Sequence, residues 1–231
     1  MARVSPRTFR SEDLEEAVKL TSDPFGRFDR RPHYEPYELD DLCEQLIEGF
    51  LQERYGRIEY PVSTEDLTLL IERDIDDYDS AADLSDLGED VEGVTDFFLK
   101  KKPRVRIAAH LWDGPSRENR LRTTLTHEYG HVRLHNYLYQ MEGSLRLYES
   151  ITAGVPQRCK RDDVQGNSRD WMEWQAAYAS GALLMPERAL RRLITAKPGD
   201  EAELITRAAA NFQVSTDAVR VRLSQLKLLG Q

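Results

Sequence analysis

The chain has 231 residues, with 41 acidic against 32 basic, a net charge of -9 and two cysteines. The acidic balance makes a poor general nucleic-acid binder, so any such contact has to come from a local basic patch. No apolar run reaches the roughly 18–20 residues of a membrane span. Cys43 and Cys159 make no disulfide framework, and the opening MARVSPRTFRSEDLEEAV has no apolar secretory core, which together predict a soluble cytoplasmic protein. The length allows one core with a small appendage.

In chain order, residues 37–55 place Leu39, Leu42, Cys43, Leu46, Ile47, Phe50 and Leu51 at helical spacing on one face, with Cys43 as core filler. Tyr60-Pro61 breaks that helix, and Ser63 caps a second one through about Arg73. Residues 72–92 hold ten acids and one base, which predicts a solvated loop or edge. GVTDFFL (93–99) and RVRIAAHLW (104–112), joined by Lys100-Lys101-Lys102-Pro103, predict a β-hairpin. The second of these strands is expected to offer its edge to an extended peptide. Ser116 can cap a long helix running to about Tyr139.

That helix carries THEYGHVRLH (126–135), which holds three of the five histidines in the chain. His127 and His131 stand at i and i+4, about 40° apart on one face. This spacing lets two ring nitrogens meet one zinc ion at about 2.0–2.1 Å. Glu128 is rotated off the ligand face, where it can serve as a general base toward a water rather than as a ligand. His135 lies about 12 Å along the axis from His127, too far to share the ion, and is expected in a supporting or packing role. A third protein ligand has to come from elsewhere. Within DWMEWQAAYASGALLMPE (170–187), Glu173 sits in an apolar helix rich in small residues. A carboxylate there needs a partner, either a metal ion or one of the nearby arginines. Tyr178 falls off the face of Glu173, and no oxyanion donor is assigned.

TTLTHEYGHVRLH, followed by Glu173-Trp174-Gln175-Ala176 and by Leu183-Leu184-Met185-Pro186, resembles the ImmA/IrrE family of zinc metallopeptidases over about residues 58–230. The resemblance implies an α+β, minimal zincin-like fold with Zn2+ held by His127, His131 and Glu173. It also implies an activity: cleavage of a partner helix-turn-helix transcriptional repressor, which derepresses stress or anti-phage defence genes. Forty-two positions separate His131 from Glu173. In that insertion Arg158, Lys160 and Arg161 surround Cys159 and favour its thiolate. A thiolate there can take zinc's fourth position and hold the enzyme off, which is similar to the cysteine switch of the CapP-type regulatory peptidases beside repressors in anti-phage operons. The alternative is an exposed bystander cysteine.

The expected division is a helical amino-terminal region plus catalytic domain over 1–186, and a helix-turn-helix-like tail over 187–231. The tail carries eight bases and five acids, a net of +3. Its Arg220, Arg222 and Lys227 are candidate phosphate contacts, with packing on the catalytic core as the other role. Lys100, Lys101, Lys102, Arg104, Arg106, Arg117, Arg120 and Arg122 form a second candidate basic set, for single-stranded DNA as an activating signal. Two other functional classes stay open: a DNA-binding regulator with a structural zinc, and a sensor that binds a repressor without cutting it.

Overall fold

The protein is described by a computed structural model covering residues 19–88, 90–99, 101–140, 155–160, 170–197 and 199–229, with 155–160 as backbone. Among these residues no helix is long and apolar enough to cross a membrane. An antiparallel hairpin comes first, β1 (Lys19–Ser22) with β2 (Arg30–His33). Helix α1 (Pro36–Tyr55) follows, burying Leu39, Cys43, Ile47, Phe50 and Leu51 along one stripe, as the spacing predicts. Its amino terminus has the Glu38 carboxylate accepting from the Glu35 N–H at 2.7 Å, and Gly56 ends it in the left-handed region at φ 68°. Burial raises the Cys43 thiol to about 12, so it behaves as the expected core filler. Ser63 caps α2 (Thr64–Glu72) by accepting from the Asp66 N–H.

The acidic stretch supplies β3 (Asp77–Ala82), mostly exposed, with β4 (Val91–Phe97) next. The predicted hairpin is β4 with β5 (Arg104–Ala108), antiparallel, with Gly93 opposite Ile107. The sheet order is β3-β5-β4-β6, where β6 spans Val155–Lys160 and pairs antiparallel with β4. One expectation is corrected here. The strand at 104–110 has no free edge, because β3 pairs with it in parallel on one side and β4 antiparallel on the other. Its N–H and C=O groups are therefore committed within the sheet.

The motif helix, α3 (Glu118–Gln140), lies across this sheet and packs most extensively against α4 (Trp171–Leu184). Gly130 of α3 explains how close they come: a Cβ added there would stand 3.0 Å from Ala176 Cα and 3.1 Å from its carbonyl oxygen. Gly130→Ala gains up to about 1 kcal/mol of helix propensity. It must nevertheless push α4 backbone aside, an overpacking cost of about 1–3 kcal/mol. Net destabilisation is the expected result, read as a lower urea midpoint at unchanged slope.

The tail forms α5 (Glu187–Ala196), α6 (Glu201–Phe212) and α7 (Thr216–Gln225), the last capped by Ser215 as predicted. Leu190, Ile205, Ala208, Phe212, Val219 and Leu223 join the same buried cluster as Leu39, Ile47, Val105 and Leu125. Two arginines stitch the tail down. Arg122 donates to the carbonyls of Val62, Phe212 and Gln213. Arg222 donates to Asp40 at 2.5 Å and to the Met185 carbonyl at 3.1 Å, and the Tyr178 hydroxyl donates to the other Asp40 oxygen. Buried charges persist where they are paired or hydrogen-bonded: Arg222 has the Asp40 carboxylate, and Arg122 has three carbonyl acceptors.

Candidate metal centre

Helix α3 turns His127 and His131 to one face, and α4 brings Glu173 across to meet them, all three buried. The Nε2 atoms of the two histidines are 3.2 Å apart. Glu173 Oε2 is 3.1 Å from His127 Nε2, and its Oε1 is 3.4 Å from His131 Nε2. Ligands at 2.0–2.1 Å from one tetrahedral ion stand about 3.3 Å from each other, so these atoms have the spacing of one face of a zinc tetrahedron. Among the described residues this is the one group of three or more histidine, cysteine and carboxylate side chains whose ligand atoms lie within 4.8 Å of one another. The donors fit a divalent ion of borderline softness such as zinc. Glu173 therefore faces the imidazoles rather than an arginine.

Glu128 is buried beside this triad and is held apart from it. Its Oε2 accepts from the Thr95 hydroxyl at 2.6 Å, while Oε1 is buried with no hydrogen-bond partner among the described residues. Gly93 makes room for it: a Cβ there would lie 2.5 Å from Glu128 Oε1 and 2.8 Å from Thr124 Cγ2. The position therefore needs glycine because of close approach rather than backbone conformation. Thr95 and Gly93 both lie on β4, and nothing in the sequence singles them out.

The two carboxyls differ in their affinity for a proton. Burial pushes the Glu128 carboxyl up to about 8, against the opposing pull of His131 and the Thr95 hydroxyl. Burial also acts to raise Glu173, but the facing His131 and His127 outweigh it and hold that carboxyl well below the ordinary range. Two carboxyls driven apart in this way take different roles. Glu173 is the anion suited to a cation, and Glu128 can hold or release a proton near neutrality.

His135 lies outside the triad, as its position along the helix predicts. Its Nδ1 is 3.0 Å from His131 Nδ1, and its Nε2 is 3.0 Å from Gln175 Oε1. Burial keeps its imidazole well below the usual range. The Tyr178 hydroxyl is engaged with Asp40 and so supplies no donor to the triad.

Cys159 lies in β6 with its backbone opposite Gly93. Its side chain is outside the described residues, and so is Lys100.

The candidate nucleic-acid contacts change character. Arg222 is corrected outright: its side chain is 1% exposed and paired with Asp40, so it meets no phosphate. Arg220 pairs with Asp217, three residues before it. Arg104 and Arg106 both bind Asp96, and Arg120 binds Glu92. Arg122 is buried in carbonyl contacts, and Lys102 Nζ donates to the Arg73 carbonyl. Among the described residues of the second basic set, Arg104, Arg106 and Arg120 are thus ion-paired and Arg122 is internal.

The family comparison agrees with the geometry. No curated protein matches the chain. The family model described as peptidase M78, IrrE N-terminal-like domain, matches residues 93–224, a span running from the glycine that makes room for Glu128 through both ligand-bearing helices into α7. With more than half of the chain matched and the ligand triad assembled inside that span, the protein belongs to the IrrE N-terminal-like family of metallopeptidases.

Proposed function

We propose that the protein is a zinc-dependent endopeptidase whose substrate is a partner helix-turn-helix transcriptional repressor. The observation that carries the peptidase reading is the buried His127–His131–Glu173 triad with the separate carboxyl of Glu128 beside it. Three protein ligands leave one coordination place open, which is the arrangement of catalytic rather than structural zinc sites. When bound, the ion supplies Lewis-acid polarisation of a scissile carbonyl and acidification of a water. Around it, His127, His131 and Glu173 fix position, and Glu128 takes and returns a proton at Oε1 while Thr95 holds its other oxygen. Helices α3 and α4 bury the whole set and keep bulk water from its far side. The repressor as substrate rests on the resemblance of the paired motifs.

A thiolate switch at Cys159 belongs to the same reading. Its support is the backbone register, which pairs Cys159 with Gly93, the residue packed on Glu128.

The experiment is a metal and cleavage assay on one preparation. Elemental mass spectrometry should find one zinc per chain, and the loaded protein should convert a partner helix-turn-helix repressor into two fragments. A chelator should stop cleavage, and zinc should restore it. Zinc that binds stoichiometrically while the repressor stays whole, under both reducing and oxidising conditions, would refute repressor cleavage and favour a binding sensor.

A further inference from the structure

The triad leaves a question of protons that hydrogen-bond bookkeeping answers. A histidine can offer Nε2 to a metal only if its remaining proton sits on Nδ1. His131 Nδ1 does not face solvent or a carboxylate; it faces the Nδ1 of another histidine, His135, at 3.0 Å. Which of the two nitrogens donates depends on what His135 does at its other end.

That end is fixed by a residue far away in sequence. Gln175 Nε2 is 3.1 Å from the carbonyl oxygen of Pro32. A carbonyl can only accept, so the glutamine's NH2 group points at Pro32 and its Oε1 points at His135. Oε1 can only accept as well, so His135 carries a proton on Nε2. One contact holds one proton, and two assignments remain for the contact between the histidines. If His135 also carried a proton on Nδ1, His131 Nδ1 would be the acceptor. The proton of His131 would then sit on Nε2, facing His127 and Glu173, with no lone pair left for a cation. The assignment consistent with ligation runs one way. His131 Nδ1–H donates to His135 Nδ1, His135 Nε2–H donates to Gln175 Oε1, and Gln175 Nε2–H donates to the Pro32 carbonyl.

We propose that His135 and Gln175 are positioning residues that lock His131 into its Nδ1-protonated tautomer, with the Pro32 carbonyl as the fixed end of the relay. The proposal rests on the metallopeptidase reading above and adds to it a source of ligand order. Every member is buried or held. Gln175 and His135 are buried, Pro32 lies in β2 of the amino-terminal hairpin, and the Trp171 ring packs edge-on against His135 at 5.5 Å. Trp171 is itself tied to the hairpin loop through its Nε1 donating to Asp23. His127 differs, because its Nδ1 has no partner among the described residues. The relay therefore supports one ligand and not the other. It also ends on a hairpin that precedes the span matched by the family, residues 93–224. The hairpin thus has a role beyond covering the core.

Partners of this kind orient the ligand ring and raise its basicity, and losing one typically weakens metal affinity about 10–100-fold. The test combines a spectroscopic reading with an affinity. Protein carrying 15N-labelled histidine is loaded with zinc, and two-bond 1H–15N correlations assign the tautomers. The expected pattern is His131 protonated on Nδ1 and metallated at Nε2, with His135 protonated on Nε2. Zinc affinity is then measured by competition with a chromophoric chelator. Gln175→Met keeps the length of the side chain but neither hydrogen bond, and should weaken affinity about 10–100-fold. Gln175→Glu keeps an acceptor for His135 Nε2–H and, with its carboxyl protonated, a donor for the Pro32 carbonyl, so it should bind zinc more tightly than Gln175→Met, a rescue that loss of packing alone does not produce. The relay is overturned if His135 in the unmodified loaded protein carries its proton on Nδ1, or if Gln175→Met binds zinc as tightly as the parent. If Gln175→Met does not fold, the tautomer reading on the unmodified chain still decides. Failure of the unmodified chain to bind zinc overturns the metallopeptidase reading too, whereas bound zinc with the opposite tautomer order overturns the relay alone.

Discussion

Glu128→Gln should leave zinc stoichiometry and fold intact while lowering peptide hydrolysis by about 10²–10⁴-fold, the usual weight of a positioned general base. The amide keeps the shape of the side chain and an acceptor for the Thr95 hydroxyl, but it can no longer take a proton at the position of Oε1. The measurement is cleavage of the repressor by the purified variant, followed by mass spectrometry, with zinc content determined on the same sample. A variant that cuts at the parental rate would remove Glu128 from the chemistry. The same substitution separates an enzyme from a regulator with structural zinc, because the latter should keep its binding function unchanged.

The variant also has a pH signature that requires no substrate. In the metal-free protein, burial raises Glu128 from the ordinary 4.5 to about 8. A raised carboxyl contributes stability that is complete below its unfolded value and is lost as pH rises through its folded value. Metal-free protein should therefore lose stability between about pH 4.5 and 8 from this group, and Glu128→Gln should flatten that loss. Glu173 acts with the opposite sign. Its carboxyl is held low, so its contribution is present above the ordinary value and disappears on acidification. Urea midpoints of parent and Glu128→Gln at pH 6 and pH 9, taken in chelator, check the first sign, and parent midpoints at about pH 3 and pH 6 check the second.

Gly93→Ala should reduce hydrolysis by about 10²-fold without removing the metal. Alanine is ordinarily the better residue within a strand, and β4 is paired on both sides at this position. The sheet itself gives no reason for a glycine there. The reason is the 2.5 Å separation between the added Cβ and Glu128 Oε1, with Thr124 closing the other side at 2.8 Å. Glu128 must swing away, and its hydrogen bond to Thr95 is drawn off with it. A displacement of about 1 Å in a catalytic group is enough to cost about 10²-fold. The ligands sit on α3 and α4 rather than on β4, so one zinc per chain is still expected. An alanine variant with parental turnover would mean that Glu128 does not work from the position seen here.

The contacts that set these effects divide by how far along the chain they reach. Two imidazoles four residues apart on a helix share a face because the helix has 3.6 residues per turn, so His127 and His131 are legible wherever that helix packs. The same arithmetic excludes His135, and the helix cap at Ser215 and the buried stripe of α1 are equally local. Glu173 is half legible. Its apolar neighbours require a partner for the carboxylate, but only the crossing of α3 and α4 chooses the imidazoles over an arginine.

What the sequence by itself determined, then, is the chemistry that each helix can offer: two ligands, a detached acid, and a second helix small enough in its side chains to approach. What only the tertiary structure decided is everything made across strands or over long separations. Thr95 lies 33 residues from Glu128, and Pro32 lies 143 from Gln175. No periodicity carries such pairings, because they depend on which elements pack together. For the same reason the expected edge strand became a central one: a strand's sequence does not say which other strands will flank it. Charge gave the least warning of all. Arg122 and Arg222 read as surface cations along the chain, yet packing turned them inward, where carbonyls and Asp40 replace the water they lost.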